Sequence, residues 1–465
     1  MPRSLPLALV LAAVLAGCGS SNAAAVPPIK HVFVIVLENK DAAKTFAADS
    51  PAPYLSKTLR SQGAFVPGYY GTGHLSLTNY VALVSGQAPN PQTQGDCQIF
   101  SEFLPGAAGP DGQAVGQGCV YPSSVKTVAD QLDAKGLSWK GYMQDMGADP
   151  AREKATCAHP AIGARDGTQS ASAKDQYATR HDPFVYFHSI IDDQARCDAR
   201  VVNLDRLTGD LGSEATTPNY SFITPDLCAD GHDDTCADGG EGGLPAADKF
   251  LQTWVPRIVN SPAFRDGMLV VTFDEAESDS SACCNEQSGP NTPSAGGPEP
   301  GPGGGRIGAV VLSPYVRAGS ASPQPYNHYS FLRSVEDLFG LEHLGYAGQD
   351  GLQPFGDDVY SNPAGTTAPA VTPTAAQSCR PTSLAGRPRR LAAHTLLASA
   401  RLRRTSGRRV LTVRTTHYAR VTVRGTRSRL VQPCHPTRIT LARGSRGKLR
   451  VTASTAKHAE RRTLG

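Results

Sequence analysis

Beyond its first twenty residues, this 465-residue sequence has no apolar run long enough to cross a bilayer, so no internal membrane-spanning helix is expected. No stretch repeats itself, which sets aside solenoids and propellers. At 40% hydrophobic residues it also lacks the composition of a disordered chain. Its most uneven shortage is of acid. From Arg380 onward a single carboxylate, Glu460, faces 22 Lys and Arg, whereas the preceding residues hold 23 basic and 40 acidic groups. The net charge of +4 therefore averages an acidic body and a basic tail, two pieces suited to different partners.

What is present begins with a leader. Leu5 to Ala16 is almost wholly apolar, follows Arg3 and runs into Gly17-Cys18. A basic start, a short apolar core and a small-residue exit make a secretory signal, too short for a transmembrane helix. The Leu-Ala-Gly-Cys ending resembles a bacterial lipobox, which implies a lipid anchor on Cys18 and a location at the periplasmic or cell-surface face of the membrane. Without lipidation the protein is expected to be secreted. The expected organisation is residues 1–18 as leader and 19–28 as tether. A catalytic domain at 29–361 is followed by a Pro/Thr/Ala linker at 362–378 and a basic, β-rich domain at 379–465.

Ten cysteines remain beyond Cys18, an even number that in an exported chain favours disulfides. Cys228 and Cys236 can close a small loop, and Cys379 with Cys434 would staple the tail. Cys283 and Cys284 are adjacent and are expected to reach elsewhere, with Cys157 and Cys197 as partners to consider. A zinc site at Cys228, His232 and Cys236 lacks an evident fourth ligand.

Lys30–Leu37 is a β-branched, nearly continuous apolar run, the pattern of a strand buried on both faces of a parallel sheet. Similar runs recur at Tyr220–Thr224, Met268–Phe273 and Ile307–Ser313. Helical spacing predicts helices over Ser124–Lys135, Ala246–Asn260 and His328–Phe339. Alternating strands and helices argue for an α/β/α sandwich with a mainly parallel sheet. Ser278–Gly305, rich in Gly, Pro and Ser, reads as a long surface loop. In the tail, Arg409–Arg414, Ala419–Arg424 and Lys448–Ala453 alternate basic or polar with apolar residues, as in a small β-sandwich.

Open parallel sheets collect function beyond the carboxyl ends of their strands. One strand here runs into Glu38-Asn39 and another into Asp274-Glu275, while a third leads into Pro225 to Asp233, which contains His232. Carboxylates and an amide oxygen converging from separate strands make a hard oxygen site for a divalent cation, with Ca, Mg and Mn equally suited. Between them in sequence, Gly71 to Tyr80 opens an apolar helical stretch to Val84. A Ser at the first turn of that helix, Ser76, lies where backbone N–H groups and the helix dipole favour negative charge. Asn79 falls on the same face.

The segments VLENK, HLSLTNYVALVSG, RHDPFVYF, TPDLCADGHD, VVTFDEAE, GGGRIGAVVLSPYV and YNHYSFLRSVEDLFGL, in that order, resemble the bacterial phosphoesterase family. The resemblance runs from about His31 to Leu341. That family includes acid phosphatases, phosphatidylinositol-3-phosphate phosphatases and phospholipases C, and is related in fold to alkaline phosphatase. The resemblance implies a metal site at Glu38, Asn39, Asp274 and Glu275, a nucleophile at Ser76 and a phosphoryl-holding amide at Asn79. It implies active-site roles for His181 and His232. His328 and His74 stand at further positions without a settled role. The sequence departs from the usual His-Pro-Ser-Leu-Pro-Asn form, with Leu75 and Thr78 at the two Pro positions.

These parts imply hydrolysis of phosphate monoesters, phosphoinositide phosphates among them, through a phosphoserine and with one divalent metal. One metal is favoured over two because the second acidic pair is Asp-Glu and no second His-rich cluster appears. A phospholipase C-type phosphodiesterase shares the fold, but its nucleophile is usually Thr. A sulfatase lacks its modification motif, and a non-catalytic surface-binding lipoprotein would be expected to have lost ligands that are all present. The basic tail suits anionic lipid or wall polymer, and no motif supports specific nucleic-acid binding.

Overall fold

The computed structural model describes residues 26–296, 301–362, 397–405, 408–415, 419–423, 429–431, 437–441, 449–454 and 459–464. The chain divides into two compact units, Met1–Pro369 and Ala370–Gly465. The expected leader and lipobox Cys18, nearly all of the expected linker, and Cys379 and Cys434 lie outside the described residues.

The first unit is an α/β body on an eight-stranded sheet. In spatial order its strands are Ser320–Ala321, Ala64–Val66, Ala309–Leu312, Gly267–Phe273, His31–Leu37, Tyr220–Thr224, Trp139–Met143 and Val201–Asn203. The five from Gly267–Phe273 to Val201–Asn203 run parallel, and Ala309–Leu312 is antiparallel to both of its neighbours. Every residue of His31–Leu37 and Gly267–Phe273 is buried, as their unbroken apolar runs require. Each fully covered Val, Ile or Leu there contributes roughly 1.5–3 kcal/mol relative to an exposed one.

The helices follow the sequence pattern with two shifted starts, and the one expected at Ala246–Asn260 runs Gly243–Val259. His328–Phe339 forms as expected and ends at Gly340 in the left-handed conformation (φ 62°). The helix expected at Ser124–Lys135 begins only at Val128, because Thr127 rather than Ser124 caps it. The Thr127 hydroxyl accepts from the Asp130 N–H, and the Asp130 carboxylate accepts from the Thr127 N–H.

The disulfide expectations need one correction. Cys228–Cys236 closes as expected and removes the zinc reading, and Cys97 pairs with Cys119. Cys157 bonds Cys197 rather than either member of the Cys283-Cys284 pair, and those two bond each other. The reason is local. Residues 156 and 202 are bridged and the Cys157 N–H donates to Val201 O, which brings Cys157 against the helix Gln194–Arg200 that carries Cys197. The described residues of 278–305 are irregular as expected, but most are buried or half-buried, and they pack on the loop before Ser76. A Cβ on Gly73 would lie 2.5 Å from Ala295 O, and one on Gly304 would lie 2.4 Å from Gly73 O, so both positions exclude side chains.

In the second unit, a three-stranded and a four-stranded antiparallel sheet share one apolar cluster that includes Leu411, Val413, Val421, Val423, Ile439, Val451 and Ala453. Arg401, Arg403, Arg438, Arg450 and Arg461 alternate outward.

Candidate active site

Register assembles the site. His31–Leu37 and Gly267–Phe273 pair in parallel with Leu37 opposite Phe273, so the residues that follow, Glu38-Asn39 and Asp274-Glu275, emerge side by side at the carboxyl edge. The Asp274 N–H still donates to Leu37 O, while the Asn39 N–H donates to Asp274 Oδ1 at 2.9 Å and Asn39 Nδ2 to Glu275 Oε1 at 2.8 Å. On the other side of the central strand, the Glu38 N–H donates to Asp230 O, bringing in the loop after Tyr220–Thr224. Four carboxylates, Glu38, Asp230, Asp274 and Glu275, are thereby buried together at 2% exposure or less.

The helix Ser76–Ser85 delivers the hydroxyl. Ser76 is its first residue, after an extended Leu75 joined to His74 by a cis peptide bond. The Ser76 hydroxyl donates to Glu38 Oε2 at 2.8 Å, and Tyr80, one turn on, donates to Glu38 Oε1 at 2.6 Å. No side chain within the helix caps it. Asp96 does so from a distant segment, its Oδ1 accepting from the Leu77 N–H at 3.0 Å.

His181 stacks on Tyr80 with ring centroids 5.2 Å apart. Its Nε2 lies 3.3 Å from Glu38 Oε1 and its Nδ1 3.9 Å from Asp230 Oδ2, without hydrogen-bond geometry in either case. Burial, then the neighbouring Arg180 and His232 charges, pushes His181 well below the usual imidazole range. His74 differs. Burial would lower it, but the hydrogen bond and charge of Glu275, at 2.6 Å, outweigh that and raise it. His328 lies beneath the site, its Nε2 on Asp274 O at 2.5 Å and its Nδ1 on Tyr69 Oη, and burial lowers it to about 4. It is a neutral support for the strand end.

Burial is the first cause that raises all four carboxylates. Asp274 and Asp230 add to it at Glu38, and Asp274 adds to it at Glu275. Carboxylates clustered out of water are costly unless a cation compensates them. Asp274 Oδ2 and Asp230 Oδ2 are buried without a hydrogen-bond partner among the described residues, so the donor set fits a hard divalent ion at the strand ends. The set is open. Among the described residues, only Cys283, Cys284 and Glu286 bring three such ligand atoms within 4.8 Å of one another, and those two sulfurs are bonded together.

The expected residues are not all placed alike. Glu38, Asn39, Ser76, His181, Asp274 and Glu275 converge. Asn79 is buried beside them, but its Oδ1 accepts from the Thr72 and Gly73 N–H groups and its Nδ2 donates to Gly73 O, so it shapes the loop that enters the helix. His232 stands at the rim with a 48%-exposed side chain paired to Asp233. The buried Lys40 reaches His232 O at 3.3 Å and Glu277 at 3.5 Å, tying that rim to the strand ends. Sequence reasoning missed Asp230, Tyr80, Arg180 and Asp96. Asp230 follows a strand, Tyr80 lies four residues from Ser76 and Arg180 precedes His181, so each carried a signal. Asp96 carried none. A cleft of ≈ 610 Å³, lined in part by Asp111, Asn285, His343 and Asp350, shares none of these residues.

Over 314 residues the chain is 27% identical to a phosphate-repressible acid phosphatase of Penicillium chrysogenum, covering 67% of this chain and 59% of the relative. It is 22% identical over 325 residues to a phosphatidylinositol-3-phosphatase of Mycobacterium tuberculosis, covering 70% and 82%. The chain thus spans about three-fifths of the length of the acid phosphatases it matches. A solved structure of a protein in the alkaline phosphatase superfamily from Vibrio parahaemolyticus is 10% identical, with a TM-score of 0.42 over 94% of this chain and 82% of that one. The phosphoesterase family profile matches residues 47–342, which include Ser76, His181, Asp230, Asp274 and Glu275 and leave Glu38-Asn39 just outside. With that match over more than half of its length, the chain belongs to the phosphoesterase family.

Proposed function

We propose that this protein hydrolyses phosphate monoesters, with Ser76 as nucleophile and one divalent cation held by Glu38, Asn39, Asp274 and Glu275. The observation that carries the reading is the Ser76 hydroxyl at a helix N-terminus, 2.8 Å from a carboxylate of the buried acidic cluster. Acid phosphatases among the relatives support it.

Ser76 attacks phosphorus in line, the ester oxygen leaves, and water then cleaves the phosphoserine. The start of the helix, where Ser76 lies, favours the developing negative charge through the helix dipole. We assign the His181 ring, whose nitrogens have no hydrogen-bond partner among the described residues, to a phosphoryl oxygen. Asn79 keeps the Thr72–Gly73 loop beside the nucleophile. His232, at the rim and oriented by Asp233, stands where a leaving alcohol would take its proton. The cation, when bound, lowers the pKa of the attacking hydroxyl and neutralises phosphoryl charge. We further propose that acyl chains on Cys18 hold the protein at the membrane and that the basic tail meets anionic lipid or wall polymer.

The test is a panel of monoesters, diesters and phosphoinositides, assayed with and without added divalent metal. Monoester turnover that falls on chelation is expected. Turnover of diesters alone would replace this reading with the phospholipase C type.

A further inference from the structure

The acidic cluster creates a difficulty for an anionic substrate. Four buried carboxylates line the strand ends where a phosphate must arrive, and among the described residues two largely buried cationic side chains, Lys40 and Arg180, belong to segments that enter the site. Lys40 is occupied, its ammonium directed to His232 O and Glu277. Arg180 is not. It sits in the short turn Thr179–His181, immediately before the ring that contacts Glu38, and its side chain is 13% exposed. Of its five N–H groups, the hydrogen bond made among the described residues is Nη1 to Gln169 O at 3.0 Å. Its Nε stops 3.8 Å from Asp96 Oδ2, too far for a hydrogen bond.

Asp96 defines where that guanidinium points. Its Oδ1 takes the Leu77 N–H at 3.0 Å, so one carboxylate lies between the first turn of the nucleophile helix and Arg180. A position between a first-turn N–H and a guanidinium fork suits an anion, and a phosphoryl group is such an anion. Arg180 remains charged there. Burial opposes its charge, but Asp96, Glu38 and Asp230 outweigh burial.

We infer that Arg180 binds the phosphoryl oxygens of the substrate, that Asp96 holds this anion position until substrate arrives, and that the pair biases the site toward dianionic monoesters. This rests on the function proposed above and deepens it. A terminal phosphate carries two charges near neutral pH and a diester carries one, so a fixed cation favours the monoester more.

The experiment uses the full chain with 4-nitrophenyl phosphate, bis(4-nitrophenyl) phosphate and inorganic phosphate as probes, at one fixed divalent-ion concentration. Arg180→Gln should lower monoester kcat/KM and weaken competitive inhibition by phosphate, each by about tenfold or more, with a smaller loss on the diester. Arg180→Lys should recover part of the loss. Asp96→Asn keeps an acceptor for the Leu77 N–H and removes the competing charge. It should therefore tighten phosphate inhibition and enlarge the rise in melting temperature that phosphate produces. A purely structural Asp96–Arg180 pair would instead leave phosphate binding unchanged or weaker in Asp96→Asn. That result, or an Arg180→Gln variant with wild-type phosphate inhibition and monoester preference, overturns the inference while wild-type turnover leaves the proposed function standing. A wild-type protein that hydrolyses neither ester overturns the proposed function itself.

Discussion

The two units treat charge in opposite ways. The body buries carboxylates and histidines at the ends of its central strands, whereas every buried residue described in the tail is apolar, and Arg401, Arg403, Arg438, Arg450 and Arg461 are exposed. The tail's arrangement is what stability alone favours, since a charged group gains nothing from leaving water. The body's arrangement costs stability, and it concentrates where two parallel strands bring Glu38 and Asp274 into register. The contrast is what the proposed function requires, with its chemistry in the body and none in the tail.

The sharpest way to break this contrast is at the nucleophile. Ser76→Ala should reduce turnover by at least about 10³-fold, since the lost group acts in covalent catalysis. Its melting temperature should stay within a few degrees of wild type. Near-wild-type activity would move the nucleophile to Thr72 or Thr78.

The acidic cluster offers the next test. Asp274→Asn and Glu38→Gln should each lower metal content and rate together, measured by elemental analysis and initial rates. In chelator, each variant should be more stable than wild type by roughly 1–3 kcal/mol, because a buried carboxylate has been made neutral. A wild-type rate indifferent to chelation would remove the metal from the mechanism.

Glu336 separates burial from chemistry. It is fully buried in the helix His328–Phe339, with Oε2 unpartnered, and burial raises it to about 9. Because the folded state holds this proton more tightly than the unfolded one, the group should cost stability progressively as pH rises from about 4.5 toward 9. Glu336→Gln should flatten that slope and stabilise the protein by up to about 3 kcal/mol at pH 7, with activity unchanged. Urea unfolding at several pH values reads the slope. An unchanged slope would place the proton elsewhere.

The smallest expected effect on rate comes from the tail. A chain of residues 25–364 should keep its rate on a soluble monoester within about twofold of a chain of residues 25–465, while losing co-sedimentation with anionic vesicles that weakens with salt. A folded but inactive short chain would show that the tail completes the site.

Much of this was legible in the sequence because the relevant signals are local. The unbroken apolar runs before Glu38 and Asp274 announced fully buried parallel strands, and a polar pair straight after such a strand has to emerge at its carboxyl edge. Ser76 ahead of an apolar helical stretch announced a helix start. Vicinal cysteines were misjudged because adjacency in sequence argued against a bond that the local backbone in fact accommodates, with Cα atoms 3.7 Å apart.

By itself, then, the sequence determined the α/β class, the alternation of the tail, the two acidic pairs and the hydroxyl at a helix start, since each depends on residues a few positions apart. Only the tertiary structure decided that Leu37 pairs with Phe273, that Asn79 turns to its own loop, that His232 stays at the rim and that Asp96 caps a helix 20 residues before it. Those outcomes depend on register and on packing between segments distant in sequence, where the partner that satisfies a buried polar group is chosen by the whole fold.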